Sequence, residues 1–286
     1  MSNYTVAPAP HVHGGDSVQK NMLNVIIALA PAYLAGCWYF GVGALMVSAI
    51  AMISCVAFEW LISKFLLKKQ PQINDLSALL TGLLLGMNLP SSLPWWMVVI
   101  GSLIAIGIGK MSFGGLGNNL FNPALVGRVF LLISFPAAMT TWPVPAPFTF
   151  DGSVDALTAA TPLSYIKEGI FTTFTHAEMA MGEIGGSLGE TSSVALLLGL
   201  VYLLATRTIS WHIPVSIITT VLIFTGIMHG IDPCTYASPL LHITSGGLLL
   251  GSIFMATDYV TSPMTKTGQI IFGVGIGLIT MVIRLF

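Results

Sequence analysis

Apolar residues run along this chain in blocks roughly one bilayer long, separated by short polar stretches, from about residue 22 to the end. A helix crossing a bilayer core needs about 20 mostly apolar residues, because every backbone group there must bond within its own segment. The blocks predict helices near 22–39, 42–63, 76–90, 94–110, 123–139, 192–206, 211–230, 239–257 and 268–286. The third is short and runs into Asn88-Leu89-Pro90 and Pro94, which predicts a broken or half-length helix packed inside protein rather than against lipid. One polar stretch, 140–191, is long and predicts an exposed loop between the fifth and sixth spans.

Composition turns that pattern into a class. Of 286 residues, 55% are hydrophobic and only 7% charged, and the mean hydropathy is +0.87. Such a balance excludes an ordinary water-soluble domain and predicts an all-α polytopic membrane protein in contact with the lipid bilayer. The first twenty residues are polar, without a basic segment leading to a small-residue cleavage site, so the first apolar block is predicted to be a retained span. Nothing in the charge pattern suggests nucleic-acid binding.

Charge placement predicts the orientation. With the amino terminus in the cytoplasm, Lys20, Lys64, Lys68, Lys69, Lys110, Arg128, Arg207 and Lys266 fall on or near the cytoplasmic side, as the positive-inside rule requires. The 140–191 loop then faces outward, carrying Asp151, Asp155, Glu168, Glu178, Glu183 and Glu190 against the single base Lys167.

The pentapeptide Gly82-Leu83-Leu84-Leu85-Gly86 returns as Gly247-Leu248-Leu249-Leu250-Gly251, in the third and eighth spans. Five helices apart, the copies must cross in opposite directions, which predicts an inverted five-helix repeat around a midplane site. The expected organisation is a cytoplasmic tail (1–20), a first repeat (21–139), an outward-facing loop (140–191) and a second repeat (192–286).

Candidate chemistry concentrates in three places. The loop holds Asp155-Ala156-Leu157-Thr158-Ala159-Ala160-Thr161-Pro162-Leu163, an acid, two spacers, a hydroxyl, two small residues and a second hydroxyl. The pattern looks like a flavin-attachment motif in which Thr161 is esterified to the phosphate of FMN, with Asp155 and Thr158 as its acid and first hydroxyl; a capped turn in a Thr-rich loop is the plainer alternative. Between the fourth and fifth spans, Gly114 to Asn122 combines glycines that allow close backbone approach with Asn118, Asn119 and Asn122, which can both donate and accept. That block either cradles a ligand or is a packing turn whose asparagines satisfy freed backbone groups. Ionisable residues at membrane depth are few, namely Glu59, Asp75, Arg128, Asp232, Asp258, His229 and His242, and each is a functional candidate because a charge there is costly. Asp258 and Asp75 hold comparable positions beside the two repeat segments and are candidates for an ion path, although the neighbouring Lys68 and Lys69 suit Asp75 to an interfacial role. Arg128 is expected to pair with a carboxylate or to snorkel, and the histidines to be packed and hydrogen-bonded. Cys37, Cys55 and Cys234 lack the spacing of a cluster or metal site and read as packing residues, so no metal centre is predicted.

Three blocks together carry a family resemblance: Gly114 through Arg128 with Ser134-Phe135-Pro136 after it, the stretch ending Thr161-Pro162-Leu163, and Phe254-Met255-Ala256-Thr257-Asp258-Tyr259-Val260-Thr261-Ser262-Pro263. In this order they make the chain resemble the D subunits of the Rnf complex, relatives of the B subunits of the sodium-pumping NADH:quinone reductase. The resemblance implies covalent FMN on Thr161, installed by an external magnesium-dependent flavin transferase with FAD as donor. It also implies a noncovalent riboflavin within the membrane part. It further implies a bacterial cytoplasmic (inner) membrane location and, as partners, the A, B, C, E and G subunits of the same complex, with G the neighbouring outward-facing flavoprotein. The implied role is electron relay between flavins, coupling ferredoxin:NAD oxidoreduction to sodium or proton translocation, with no complete catalytic site in this chain alone. Position 159 is Ala where the family often has Gly, a small-for-small change. Family members usually continue past Arg284-Leu285-Phe286 into one more helix, so the second half is expected to lack its last helix and the sequence to be truncated. Two other classes compete on architecture alone: a secondary transporter or urea-type channel without redox role, and a purely structural anchor.

Overall fold

The structure, a computed structural model, describes residues 17–68, 70, 73–145, 158–159, 161–167, 176–182, 184–233 and 235–285. Among the described residues the fold is helical apart from one two-residue ladder. Helix α1 (Val18–Leu61) starts at Ser17, whose hydroxyl accepts from the Lys20 backbone N–H at 3.2 Å. It folds back on itself at Gly41, where φ is 61° and ψ is −139°, a conformation that favours glycine. Tyr33 and Ser48 then lie side by side across the turn, their hydroxyls 2.8 Å apart, so α1 is a hairpin of two arms, 18–40 and 42–61. These arms are the first two predicted spans.

After a π-helical turn (Ile62–Leu66), α2 (Ser77–Met87) is almost entirely buried against the second arm. Its glycines permit the approach: a Cβ on Gly82 would sit 2.6 Å from Met52 Cα, and one on Gly86 2.9 Å from Ser48 Cα. The predicted short third span is therefore an interior helix of eleven residues, about 16 Å long. Helix α3 (Trp95–Ile104) follows Pro94 and passes into a π-helical stretch (Ala105–Lys110). Helix α4 (Pro123–Ser134) ends at Phe135, because Pro136 cannot continue it and instead opens the one-turn α5 (Pro136–Met139).

The described part of the loop region forms strands β1 (Trp142–Pro143) and β2 (Thr158–Ala159), paired antiparallel, and short helices α6 (Pro162–Lys167) and α7 (His176–Met181). Helices α8 (Ser193–Ala205) and α9 (His212–Ile231) follow as predicted. The predicted eighth span, 239–257, is not one helix. It divides into α10 (Pro239–Thr244), a turn at Ser245 to Gly247, the single turn α11 (Leu248–Leu250) and a π-helical segment (Gly251–Met255). Gly246 at φ +67° makes the break. The last helix is α12 (Lys266–Leu285), packed on α9 through Gly273 and Gly277.

Residues of the two Gly-Leu-Leu-Leu-Gly segments share one buried core cluster. Ser77 at the start of α2 and Asp258 beyond the end of the second segment line one cavity, whereas Met87 at the end of α2 accepts from the Gly189 N–H beside Leu250. Their local structures differ, since Gly82 is mid-helix and Gly247 precedes a helix start. Leu29, Leu85, Met87, Leu131, Leu203, Leu250 and Ile253 form the core around this pair. Outside it, Trp38, Ile53, Ile133, Ile223 and Ile283 are each more than half exposed, an apolar girdle that only lipid or partner subunits can cover. Four helical stretches, Val18–Leu66, Trp95–Phe113, His212–Ile231 and Lys266–Leu285, are long and apolar enough to cross a membrane, and the first does so as a hairpin. The protein is a multi-pass membrane protein.

Candidate functional site: a cavity at one end of the half-helix pair and a charged turn at the other

The cavity opens where α2 begins. Ser77 and Thr81 come from α2, Lys110 from the end of the α3 stretch, Asn119 and Asn122 from the loop before α4, and Thr257 and Asp258 from the turn after the second segment. Leu84, Ile253 and Phe254 supply apolar wall. Two of the three predicted asparagines therefore meet a predicted acid. Asn122 caps α4, accepting from the Ala124 N–H at 3.0 Å, and its amide donates to Met255 O at 3.4 Å, which ties the loop to the second segment. Asn119 is buried and donates to Phe121 O at 3.3 Å. Asn118 is not part of the cavity lining. Its side chain turns back over Gly114, 3.3 Å from where a Cβ would stand, and Gly114 holds φ +110° to make room.

Asp258 is half-buried. Burial pushes its carboxyl above the usual range, opposed by the Val260 N–H, the Thr261 hydroxyl and the Tyr259 N–H. Asp75 reaches the cavity only indirectly: its carboxylate accepts from the Ser77 N–H at 3.0 Å and hydroxyl at 2.8 Å, capping α2. The mouth is basic, because Lys20 and Arg207 line an adjoining polar recess that shares Asn21 and Tyr259 with the cavity.

Lys110 is 2% exposed, and its ammonium donates to Glu59 at 2.8 and 2.7 Å and to Ser77 Oγ at 2.6 Å. Glu59 was legible as an acid at membrane depth; its partner was hidden because Lys110 ends an apolar run, where lysines ordinarily snorkel.

At the opposite end, the turn between α10 and α11 is ringed by charge. Arg284 donates to His242 O at 2.6 Å and Ser245 O at 3.0 Å, closing the end of α10. Arg128 forms no direct ion pair with a carboxylate among the described residues; it donates to Asn88 Oδ1 at 2.7 Å, at the far end of α2 from Lys110. A Cβ on Gly247 would stand 3.3 Å from Glu190 Oε1 and 3.9 Å from Arg128. His229 is hydrogen-bonded to Tyr236 O at 2.6 Å, whereas His242 is fully buried with neither ring nitrogen partnered among the described residues, contrary to expectation. Cys37 and Cys55 are buried and free; Cys234 lies outside the described residues.

The Thr161 region packs over this charged end. Ile166, Met179 and Ile184 cluster with Ala237 and Leu241, and Leu163 reaches within 2.6 Å of a Cβ position on Gly246, which Arg284 approaches to 3.0 Å. Thr161 is half-buried at the start of α6. Its carbonyl accepts from Ser164 Oγ at 2.7 Å, Ser164 N at 2.9 Å and Tyr165 N at 3.3 Å, while among the described residues its hydroxyl makes only a long 3.4 Å contact with Ser164 N. Thr158 lies in β2, opposite Pro143. Asp155 lies outside the described residues.

Comparison with known proteins places the chain. A profile of the NQR2, RnfD, RnfE family matches residues 5–286. The D subunit of the Na(+)-translocating ferredoxin:NAD(+) oxidoreductase complex of Acetobacterium woodii is 45% identical over 99% of this chain and 86% of its own length. The D subunit of the proton-translocating ferredoxin:NAD(+) oxidoreductase complex of Clostridium ljungdahlii is also 45% identical, over the same shares. The D subunit of the ion-translocating oxidoreductase complex of Rhodobacter capsulatus is 42% identical over 96% of this chain and 84% of its own length. On this match over nearly every residue, the chain belongs to the NQR2, RnfD, RnfE family.

Proposed function

We propose that this chain is the membrane flavin carrier of an ion-translocating ferredoxin:NAD(+) oxidoreductase, with FMN esterified to Thr161 and a noncovalent riboflavin in the cavity between Asn119, Asn122 and Asp258. The observation that carries the proposal is the arrangement of Thr161. Its turn is held by its carbonyl, so among the described residues esterifying the hydroxyl gives up one long contact.

The cavity's donor set also suits a flavin. Asparagine amides and threonine hydroxyls can pair with the polar ring edge, and Leu84, Ile253 and Phe254 can flank the rings. As the side chains stand, about 100 Å3 is free, so a tricyclic guest enters by displacing the mouth residues Leu116 and Tyr259, which are 38% and 51% exposed. A flavin relays electrons singly, and a covalent tether keeps it from being lost outside the cell. The chain's own part would be to hold one carrier at Thr161 and the other in the cavity where α2 begins, with buried leucines excluding water between the two ends.

Lys20, Lys64, Lys68, Arg207 and Lys266 sit at the cavity end, the end from which α1 starts and at which α12 begins, which supports a cytoplasmic amino terminus, a Thr161 loop outside the bacterial inner membrane and a neighbouring flavoprotein there. Equal identity to a sodium-named and a proton-named relative leaves both ions compatible with the sequence.

The test is flavin release from the purified native chain. Acid denaturation is expected to free one neutral, unphosphorylated flavin into the supernatant and leave a second bound to the pellet. A colourless pellet and supernatant, from cells that contain the transferase, would favour a transporter or channel instead.

A further inference from the structure

Where an apolar helix leaves the bilayer, its first polar side chains stand at the depth of the lipid headgroups, and a cluster of bases there meets phosphate. Leu23 and Ile27 are exposed on α1, three and seven residues beyond Lys20 and on its face of the helix, so the apolar girdle ends just below that lysine. Trp211, 55% exposed immediately before α9, marks a bilayer boundary beside Arg207, because indole rings favour the border between lipid and water. Between the first turns of α1 and the end of α8 lies the polar recess, about 670 Å3, lined by Lys20, Asn21, Asn24, Thr206, Arg207 and Tyr259. Two of these six are bases, the rest bring amides or hydroxyls, and among the described residues no carboxylate lines it. One wall is fixed, since the Asn24 amide donates to Thr208 Oγ1 at 3.3 Å and the Tyr259 hydroxyl donates to the Thr208 carbonyl. Arg207 is the residue that the backbone explains least. Helix α8 ends by wrapping back, with Arg207 N–H on Leu204 O at 3.1 Å and Thr208 N–H on Leu203 O at 3.0 Å, which holds Arg207 at φ +54°. Glycine suits that position without steric cost, so the reason for an arginine lies in its side chain. Among the described residues its guanidinium has no hydrogen-bond or ion-pair partner.

We propose that this recess binds the phosphodiester headgroup of an anionic phospholipid, with Arg207 and Lys20 on the phosphate oxygens and the acyl chains running down α1 over Leu23 and Ile27. The planar fork of a guanidinium matches two phosphate oxygens at once, and an ammonium adds a second charge without a fixed direction. A zwitterionic headgroup brings its own cation, which the two bases repel, so the site selects for net negative charge. An acidic peptide would use the bases but leave the apolar flank uncovered, which favours a lipid. The leaflet that supplies the lipid rests on the orientation proposed above; the headgroup site rests on neither that nor the flavin assignment.

The purified full chain in detergent is titrated with phosphatidylglycerol and with phosphatidylcholine of the same acyl chains, and occupancy by the first lipid is read by native mass spectrometry. The wild type is expected to bind phosphatidylglycerol roughly tenfold more tightly, and both Arg207→Gly and Arg207→Gln to lose that preference. Arg207→Gly also relieves the backbone, so it should melt no lower than the wild type in phosphatidylcholine, which separates loss of the lipid from loss of the fold. Lys266→Gln removes a base at the same end but outside the recess, and should leave the preference intact. Equal binding of the two lipids by the wild type overturns the proposal. So does a preference that survives in either Arg207 variant, or one that Lys266→Gln abolishes equally. Inorganic phosphate that raises the melting temperature as much as phosphatidylglycerol would assign the recess to a free anion and overturn the lipid. Flavin content of the same samples is read separately by fluorescence, so failure of the flavin assignment and failure of the lipid site are distinguishable.

Discussion

Leucine in place of Glu59 is expected to cost about 3–5 kcal/mol of stability, because the Lys110 ammonium, 2% exposed, would keep only Ser77 as a partner. The cost comes from stranding a buried charge rather than from the intrinsic strength of the pair. Replacing both partners, Glu59→Leu/Lys110→Leu, should therefore recover most of it, since two apolar side chains of similar volume avoid the desolvation of either ion. The measurement is reversible unfolding of the four proteins in mixed micelles, analysed as a double-mutant cycle. A coupling of several kcal/mol is the expected result, whereas additive effects would mean that the two charges do not meet in the folded chain.

The second large effect concerns the loop. Thr161→Ala is expected to abolish the yellow fluorescence of the denatured chain on a gel, because alanine offers no oxygen to esterify. Thr161→Ser should retain it, since the nucleophile and the turn are both preserved. The backbone cap from Ser164 to the Thr161 carbonyl is untouched by either change, so the alanine variant should fold and insert normally. Retained fluorescence in Thr161→Ala, with the label mapped to Thr158, would move the attachment point into strand β2 and revise the assignment.

How much of this was legible in the sequence depended on whether the determining contact was local. Span positions follow from runs of apolar residues, and the short α2 announced itself through Pro90 and Pro94. The break in the eighth span did not, because Ser245-Gly246-Gly247 sits within an apolar context in which glycine is ordinary. The two copies of the repeated pentapeptide take different local structures, since the first lies within a continuous helix and the second spans a helix start. Asn119, Asn122 and Asp258 were legible as candidates, and their convergence required two segments separated by more than a hundred residues to meet. Asn118 shares the chemistry of its neighbours and differs in that its side chain lies over Gly114 rather than in the cavity, which no spacing reveals. The Glu59 to Lys110 pair, 51 residues apart, and the Arg284 cap on α10, 42 residues apart, are long-range polar contacts of the same kind.

Peptide mass mapping of the native chain, isolated from membranes, addresses the flavin assignment most directly. The expected result is that the peptide containing Thr161 carries the added mass of FMN less one water, localised by fragmentation to that residue. A native peptide of unmodified mass at Thr161, in cells that make the transferase, would contradict it.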